Sequence, residues 1–440
     1  MATQKLVNGP VGAPGIPASA TPNYSRPLTI VTTLFFMWGF LTCLNDILVP
    51  HLKSIFDLSY ARVMLIQFSF FSAYFWLSVP WSRIVNAIGY QKTMVVGLLS
   101  MAVGAFLFVP AAASVSFPLF LAALVVLAAG VTGLQVAANP YVVVLGKPET
   151  ASSRLVLTQA FNSLGTTIAP KLGGLLILSA TPLAIEKLRT LSPEALHLYR
   201  IQQASSVKMP YVVIGIALLL LAVLIATSRL PKIAGARCAP QQKVDDSVWR
   251  HPNLVLGALG IFAYVGAEVS IGSFLVNYFG QADIAGLPAR IAAGYVSFYW
   301  GGAMVGRFLG AGLLRRIKTG HLLAACAICT ATLVIVSMST SGHTAMWSIL
   351  AVGLFNSIMF PSIFALGVAE LGCLTGNASG ILNMAIVGGA ILPLVQGVVA
   401  DSIGIHHAFI VPVICYLYIL FYALSGSKPN SERYALGQRG

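Results

Sequence analysis

Two carboxylates stand where a chain of this composition has little reason to keep them. Asp46 lies in TCLNDILVPHL at 42–52 and Glu268 in YVGAEVSIGS at 264–273, and no other acid falls well inside an apolar stretch. Holding such a group in hydrocarbon costs about 2.5–3.5 kcal/mol on insertion scales, which favours protonation or a polar partner. A carboxyl whose proton affinity changes when water reaches it from one side is what proton coupling requires, so both residues are candidates for that chemistry. Side-chain amides accompany them: Asn45 beside Asp46, Gln135 and Asn139 four apart, Gln159 and Asn162 three apart, then Asn356 and Asn383. Amides cannot hydrogen-bond lipid, so they must meet other helices or a polar cavity. Spacings of three and four put each pair on one helical face.

Amides and carboxylates present paired donors and acceptors suited to the hydroxyls of a pyranose, and aromatic rings suit its apolar face. Trp38, Tyr264, Tyr295, Tyr299 and Trp300 are the aromatic candidates, whereas Trp81 and Trp347, near helix ends, read as interfacial anchors. No Arg or Lys other than Lys171 is expected inside, and nine steps of about 100° set Lys171 on the face opposite Asn162. A neutral solute is therefore favoured over a phosphate or carboxylate, which would call for a fixed positive charge.

A set of membrane-spanning helices must position these residues. With 57% hydrophobic and 9% charged residues, and a mean hydropathy of +0.85, the chain has too little polar surface for a soluble globule of 440 residues. Spans of roughly 20 apolar residues occur near 28–52, 62–82, 93–111, 117–144, 155–180, 209–229, 252–280, 290–314, 321–339, 345–369, 377–400 and 408–425. The fold class is thus all-α and polytopic, with twelve transmembrane helices in two six-helix bundles. Its expected organisation is a disordered cytoplasmic N-terminus at 1–27, a bundle at 28–229, a cytoplasmic linker at 230–251, a second bundle at 252–425 and a cytoplasmic tail at 426–440. In the external loop at 181–208, Ser192-Pro193-Glu194 predicts the start of a short surface helix.

Eighteen Lys and Arg fall on the side of the termini, Arg307 counted among them, against seven on the other, which places both termini in the cytoplasm. The net charge of +14 is then a topology signal, and nucleic acid is not an expected partner. The seven His have no ligand spacing, Cys326-x-x-Cys329 reads as a packing pair, and the scattered cysteines predict no disulfide. Neither a metal site nor an enzyme is expected.

An internal repeat divides the chain. Gln135, Pro140, Leu145-Gly146 and Asn162 recur as Asn356, Pro361, Leu366-Gly367 and Asn383, each 221 positions on, so the two halves are related copies with an amide at both ends of one frame. The glycines Gly301, Gly302, Gly306 and Gly310 are expected to permit close sliding contacts.

LNDILVPHL in the first helix, AANPYVVVLGKPE leaving the fourth, LTQAFNSLGTTIAP in the fifth and YVGAEVSIGSFLVNYF in the seventh resemble the fucose–galactose–glucose symporter family of the major facilitator superfamily, L-fucose permease-like. The resemblance runs from about residue 28 to 425. It implies a bacterial inner-membrane carrier that imports a monosaccharide (a hexose or N-acetylhexosamine) with a proton and holds no bound cofactor. It further implies that Asp46 serves sugar binding and coupling, and that Gln159 and Asn162 contact sugar. The L-fucose permease pattern has a glutamate in the fourth helix where this chain has Gln135, which cannot titrate. Glu268, standing where that pattern has an amide, is the candidate to share coupling with Asp46. Sodium coupling, a drug-efflux carrier and a sugar-sensing transceptor are the competing readings, and a monomer is expected.

Overall fold

The computed structural model describes residues 24–56, 60–177, 192–205, 208–231 and 247–428, apart from some side chains within the helices, including those of residues 41–67 and 170–177. Most of the expected N-terminal segment, linker and tail lies outside them. All regular elements among the described residues are helical. The first half contains α1 (Ser25–Phe56), α2 (Tyr60–Ile88), α3 (Tyr90–Ala113), α4 (Phe117–Val144), α5 (Ala151–Ile177), the short α6 (Pro193–Ser205) and α7 (Lys208–Thr227). The second contains α8 (Pro252–Phe279), α9 (Ala289–Leu313), α10 (Thr319–Ser339), α11 (Gly342–Asn356), α12 (Met359–Gly367), α13 (Thr375–Met384), α14 (Gly388–Ile403), α15 (Ile405–Ala408) and α16 (Ile410–Phe421).

Eight helical segments are long and apolar enough to cross a bilayer by themselves, with α11–α12, α13–α14 and α15–α16 each counted as one broken span. The long helices α1, α2, α5 and α9 pack among them and bring the total among the described residues to twelve. Prolines open α4 and α8 in their first turns, where the missing N–H has no helical acceptor. The surface helix begins as expected: the backbone N–H of Ala195 donates to Ser192 Oγ at 3.2 Å. The surface is inverted relative to a soluble protein, with Trp76 70% and Val398 71% exposed while Asn139 and Asn383 are fully buried.

The 221-residue repeat is visible in the packing. In the first half α3 packs on α4 and α7, α1 on α5, and α2 on α4; in the second α10 packs on α11 and α16, α8 on α14, and α9 on α11. Each pair in one half has its counterpart in the other. Across the halves α5 meets α9 and α2 meets α13, and the repeat exchanges these two contacts. Two bundles related by a pseudo-twofold therefore face each other, among the described residues, chiefly through α2, α4 and α5 of the first and α9, α12 and α13 of the second.

Several expectations need correction. The span at 345–369 is broken at Ser357-Ile358, and that at 377–400 passes through a 3₁₀ turn at Ala385–Val387, two residues after Asn383. Trp81 is not an anchor: it is buried, and a Cβ on Gly133 would lie 2.5 Å from its ring. Gly301 faces open space, Gly302 and Gly306 approach Leu354 in their own bundle, and Gly310 packs on Ile358 of its own bundle with Val156 of α5 opposite at 3.8 Å from an added Cβ. Among the described residues the tightest glycine contacts between bundles are on α13 and α14, where a Cβ on Gly380 would come 2.7 Å from Ser82 Cβ and one on Gly389 2.9 Å from the Phe71 ring. Cys373 is disulfide-bonded.

Candidate functional site

Proline determines where the site begins. Pro140 and Pro361 occupy equivalent positions in α4 and α12, and each lacks the N–H that would pair with the carbonyl four residues earlier. Those carbonyls, Val136 O and Ser357 O, are filled from elsewhere. Ser379 Oγ of α13 donates to Val136 O at 2.9 Å across the bundle interface. Arg307 Nε of α9 donates to Ser357 O at 3.2 Å. Both bonds lie beside an amide of the repeat, Gln135 in one case and Asn356 in the other.

Those amides repeat a pattern. Gln135 Nε2 donates to the Tyr74 hydroxyl of α2 at 2.9 Å, and Asn356 Nδ2 to the Tyr299 hydroxyl of α9 at 2.8 Å. Tyr295 is the strict counterpart of Tyr74, so the second tyrosine is displaced by one helical turn. Asn383 Nδ2 donates to Ser379 O at 2.8 Å and to Ser379 Oγ at 3.2 Å, which extends the chain from Asn383 through Ser379 to Val136. Asn162 Nδ2 donates to Phe35 O at 2.9 Å, tying α5 to α1 one turn from the buried Trp38.

Glu268 is half-buried on α8, and the Tyr264 hydroxyl, one turn earlier, donates to its Oε1 at 2.7 Å. Tyr264 and Tyr299 are fully buried, whereas Trp300 points outward at 44% exposure and Tyr295 joins Phe298 and Trp347 away from the amides. Asp46 has its repeat counterpart at Ala267, one residue before Glu268, so the two acids occupy nearly equivalent places in the two bundles. Asn45 and Asp46 lie on α1, about 12 Å along the helix from Trp38 at 1.5 Å per residue, and their side chains are outside the described residues. So is that of Lys171.

The sequence reading missed Arg307. Counted as a charge at the cytoplasmic margin, it sits within α9, and its guanidinium reaches inward. Nη1 donates to Ser163 Oγ and to Gln159 O (3.4 Å), both on α5 of the opposite bundle. It also acts electrostatically on Glu268. The expectation that no fixed positive charge other than Lys171 lies inside is therefore wrong. Arg307 is the repeat counterpart of Asn86, which bridges the bundles at the equivalent contact through Nδ2 to Asn377 Oδ1 at 2.5 Å, a correspondence that only the structure reveals.

Some buried amide atoms have no protein partner among the described residues: Gln135 Oε1, both side-chain atoms of Asn139, Asn356 Oδ1 and Asn383 Oδ1. Unpaired buried polar atoms are few in native structures, and several on helices that meet at one interface mark a place where something else bonds. No cluster of metal-ligating side chains occurs among the described residues.

Removing the Tyr264 hydroxyl tests how far Glu268 depends on it. Tyr264→Phe preserves the ring and deletes a hydrogen bond worth about 0.5–1.5 kcal/mol. The variant should fold with a melting temperature unchanged within a few degrees, and its transport rate should fall about 2–12-fold.

Two related six-helix bundles, broken spans and a polar interface define a polytopic membrane carrier. The chain belongs to the Major Facilitator Superfamily, which it matches over residues 30–387. It is 53% identical to the glucose/galactose transporter of Brucella abortus over 97% of this chain and 100% of that protein. It is 34% identical to the L-fucose–proton symporter of Escherichia coli over 92% of this chain and 94% of that one. The crystal structure of the E. coli fucose:proton symporter, FucP, superposes with a TM-score of 0.85 over 91% of this chain and 98% of that one, and FucP in the outward conformation with 0.84.

Proposed function

We propose that this protein is a proton-coupled symporter that imports a neutral monosaccharide across a bacterial inner membrane by alternating access. The observation that carries the reading is the set of buried amide atoms without partners at the meeting of the two bundles, beside a carboxylate held by a tyrosine. A sugar hydroxyl donates and accepts at once and so suits both halves of an amide. Gln135, Asn139, Gln159, Asn162, Asn356 and Asn383 would bind it, with Trp38 and Tyr264 against its apolar face, Asn45 beside it, and Asp46 and Glu268 serving both sugar and proton.

The relatives support this assignment, since they are named glucose/galactose transporters and L-fucose–proton symporters. Glucose and galactose are the first substrates to test. A proton is favoured over sodium as the coupling ion by the same names, and an amide-lined interface is a poor match for the apolar pocket of a drug-efflux carrier. With both termini cytoplasmic, the contacts Asn86–Asn377, Ser153–Ala311 and Ser152–Thr319 close the inner end, which corresponds to an outward-facing state.

Counterflow of labelled hexoses in proteoliposomes tests substrate class without a driving gradient. Glucose or galactose should exchange, and Gln135→Leu should raise the KM for that sugar by about 2–12-fold, the loss of one hydrogen bond of about 0.5–1.5 kcal/mol. Exchange of none of a panel of neutral sugars would overturn the proposal.

A further inference from the structure

Arg307 is the charged side chain that the amide and carboxylate roles leave unexplained. Its donors are spent on two bundles at once: Ser357 O, freed by Pro361, on its own side, and Gln159 O and Ser163 Oγ on α5 opposite. The contact between α5 and α9 continues through Ser153 Oγ to Ala311 O at 2.6 Å, Phe161 against Phe308 at 5.8 Å and Thr167 Oγ1 to Met304 Sδ at 3.5 Å. Rocking the bundles apart at this end must break all of these. Ser357 O travels with Arg307, but the α5 acceptors do not.

A guanidinium that loses its α5 acceptors must replace them from water or from the protein, and a carboxylate is the strongest protein partner available to it. Glu268 belongs to the same bundle as Arg307, lies within its electrostatic reach and moves with it. Tyr264 on the same helix bonds Glu268, and Tyr299 on α9 and Tyr416 on α16 lie within its electrostatic reach. The segments α12 and α13 bring no titratable side chain, and Asp401 is at the far end of α14. Among the described residues Arg307 is thus the cation whose charge acts on this acid.

We propose that Arg307 exchanges partners during the transport cycle: it is bonded to Gln159 and Ser163 of α5 while the bundles are closed at this end, and pairs with Glu268 when they separate. The inference rests on the symport reading and deepens it. In the closed state Glu268 carries its proton as a neutral acid beside Tyr264. On opening, the carboxyl passes that proton to water on the newly exposed side, and the resulting carboxylate takes the guanidinium. A carboxylate paired with Arg307 favours the open interface; the empty carrier returns when the guanidinium goes back to α5, and Glu268 then takes its next proton from the opposite side, so one proton crosses per cycle. Conformation and protonation are linked through one side chain rather than through a long network.

The test uses the full-length protein in lipid nanodiscs, with spin labels carried by unnatural amino acids at Lys147 and Arg316, whose side chains are exposed on either side of the contact. The distance distribution is recorded across an acid-to-alkaline series. The unsubstituted protein should shift from short to long distances as pH rises. Arg307→Gln should lose about tenfold of its short-distance population, equivalent to one charge-assisted bond, and lose its pH response. Arg307→Lys should retain a pH response because it keeps the charge, and Ser163→Ala should open the interface while keeping that response. A pH response that persists in Arg307→Gln but vanishes in Glu268→Gln would overturn the partner exchange and leave Glu268 as the coupling acid. Proton-driven accumulation that persists in Glu268→Gln would likewise overturn the role given to Glu268, whereas absence of proton-driven accumulation in the unsubstituted protein would overturn the symport reading instead.

Discussion

Glu268→Gln protein is expected to exchange sugar across the membrane and to accumulate none. Glutamine matches glutamate in shape, and its carbonyl oxygen still accepts from the Tyr264 hydroxyl that reaches Oε1 at 2.7 Å, so the substitution leaves the packing of α8 in place. What it removes is the ability to carry a proton. One elementary charge moved through the membrane potential is worth roughly 2.3 kcal/mol per 100 mV, so one proton per neutral sugar supports an accumulation of about a hundredfold at ~120 mV. The ratio of internal to external sugar should therefore fall from about a hundred to about one, while counterflow continues. Labelled-sugar uptake and counterflow on the same proteoliposomes check this, and the two assays separate uncoupling from misfolding. If Asp46 alone carried the proton, accumulation would survive the change.

Gly380→Leu should have the second largest effect, through conformation and not chemistry. An added Cβ at Gly380 would stand 2.7 Å from Ser82 Cβ and 3.0 Å from Ser78 O, and the second of these is backbone that cannot turn aside. Overpacking of this kind costs about 1–3 kcal/mol. The cost falls on the state in which α2 and α13 are in contact, so molecules leave that state by a factor of about 5–150. Transport slows because every cycle must pass through it. Distances between labels on α2 and α13 should lengthen, initial uptake should fall, and Gly380→Ala should show the same changes on a smaller scale. Unchanged distances with unchanged uptake would mean that this contact does not open.

Much of this arrangement was legible in the residues. Asn45 and Asp46, Gln135, Asn162 and Glu268 stand out because polar groups are costly in apolar helices, and the 221-residue offset pairs Gln135 with Asn356 and Asn162 with Asn383 from residue type and spacing alone. The same offset pairs Pro140 with Pro361, and so anticipates the two freed carbonyls. Tyr74 was not legible, since a tyrosine among Phe and Trp residues reads as packing until Gln135 is seen to donate to its hydroxyl. Arg307 was misread because a charge six residues from the end of α9 is indistinguishable in sequence from one at the membrane margin. Only the approach of α5 shows that it turns inward. Gly380 was hidden for a similar reason: glycine is common in such helices, and what makes this one matter is the closeness of α2. Features set by cost in lipid could be read locally, while those set by contact between distant helices could not.

The central claim, that sugar and proton move together through one site, is tested most directly by uptake of labelled glucose and galactose into proteoliposomes with an imposed inward proton gradient in sodium-free buffer. Concentrative uptake of at least one of them, abolished by an uncoupler, is the expected result. Exchange without accumulation until sodium is added would contradict it and assign the carboxylates to a cation site.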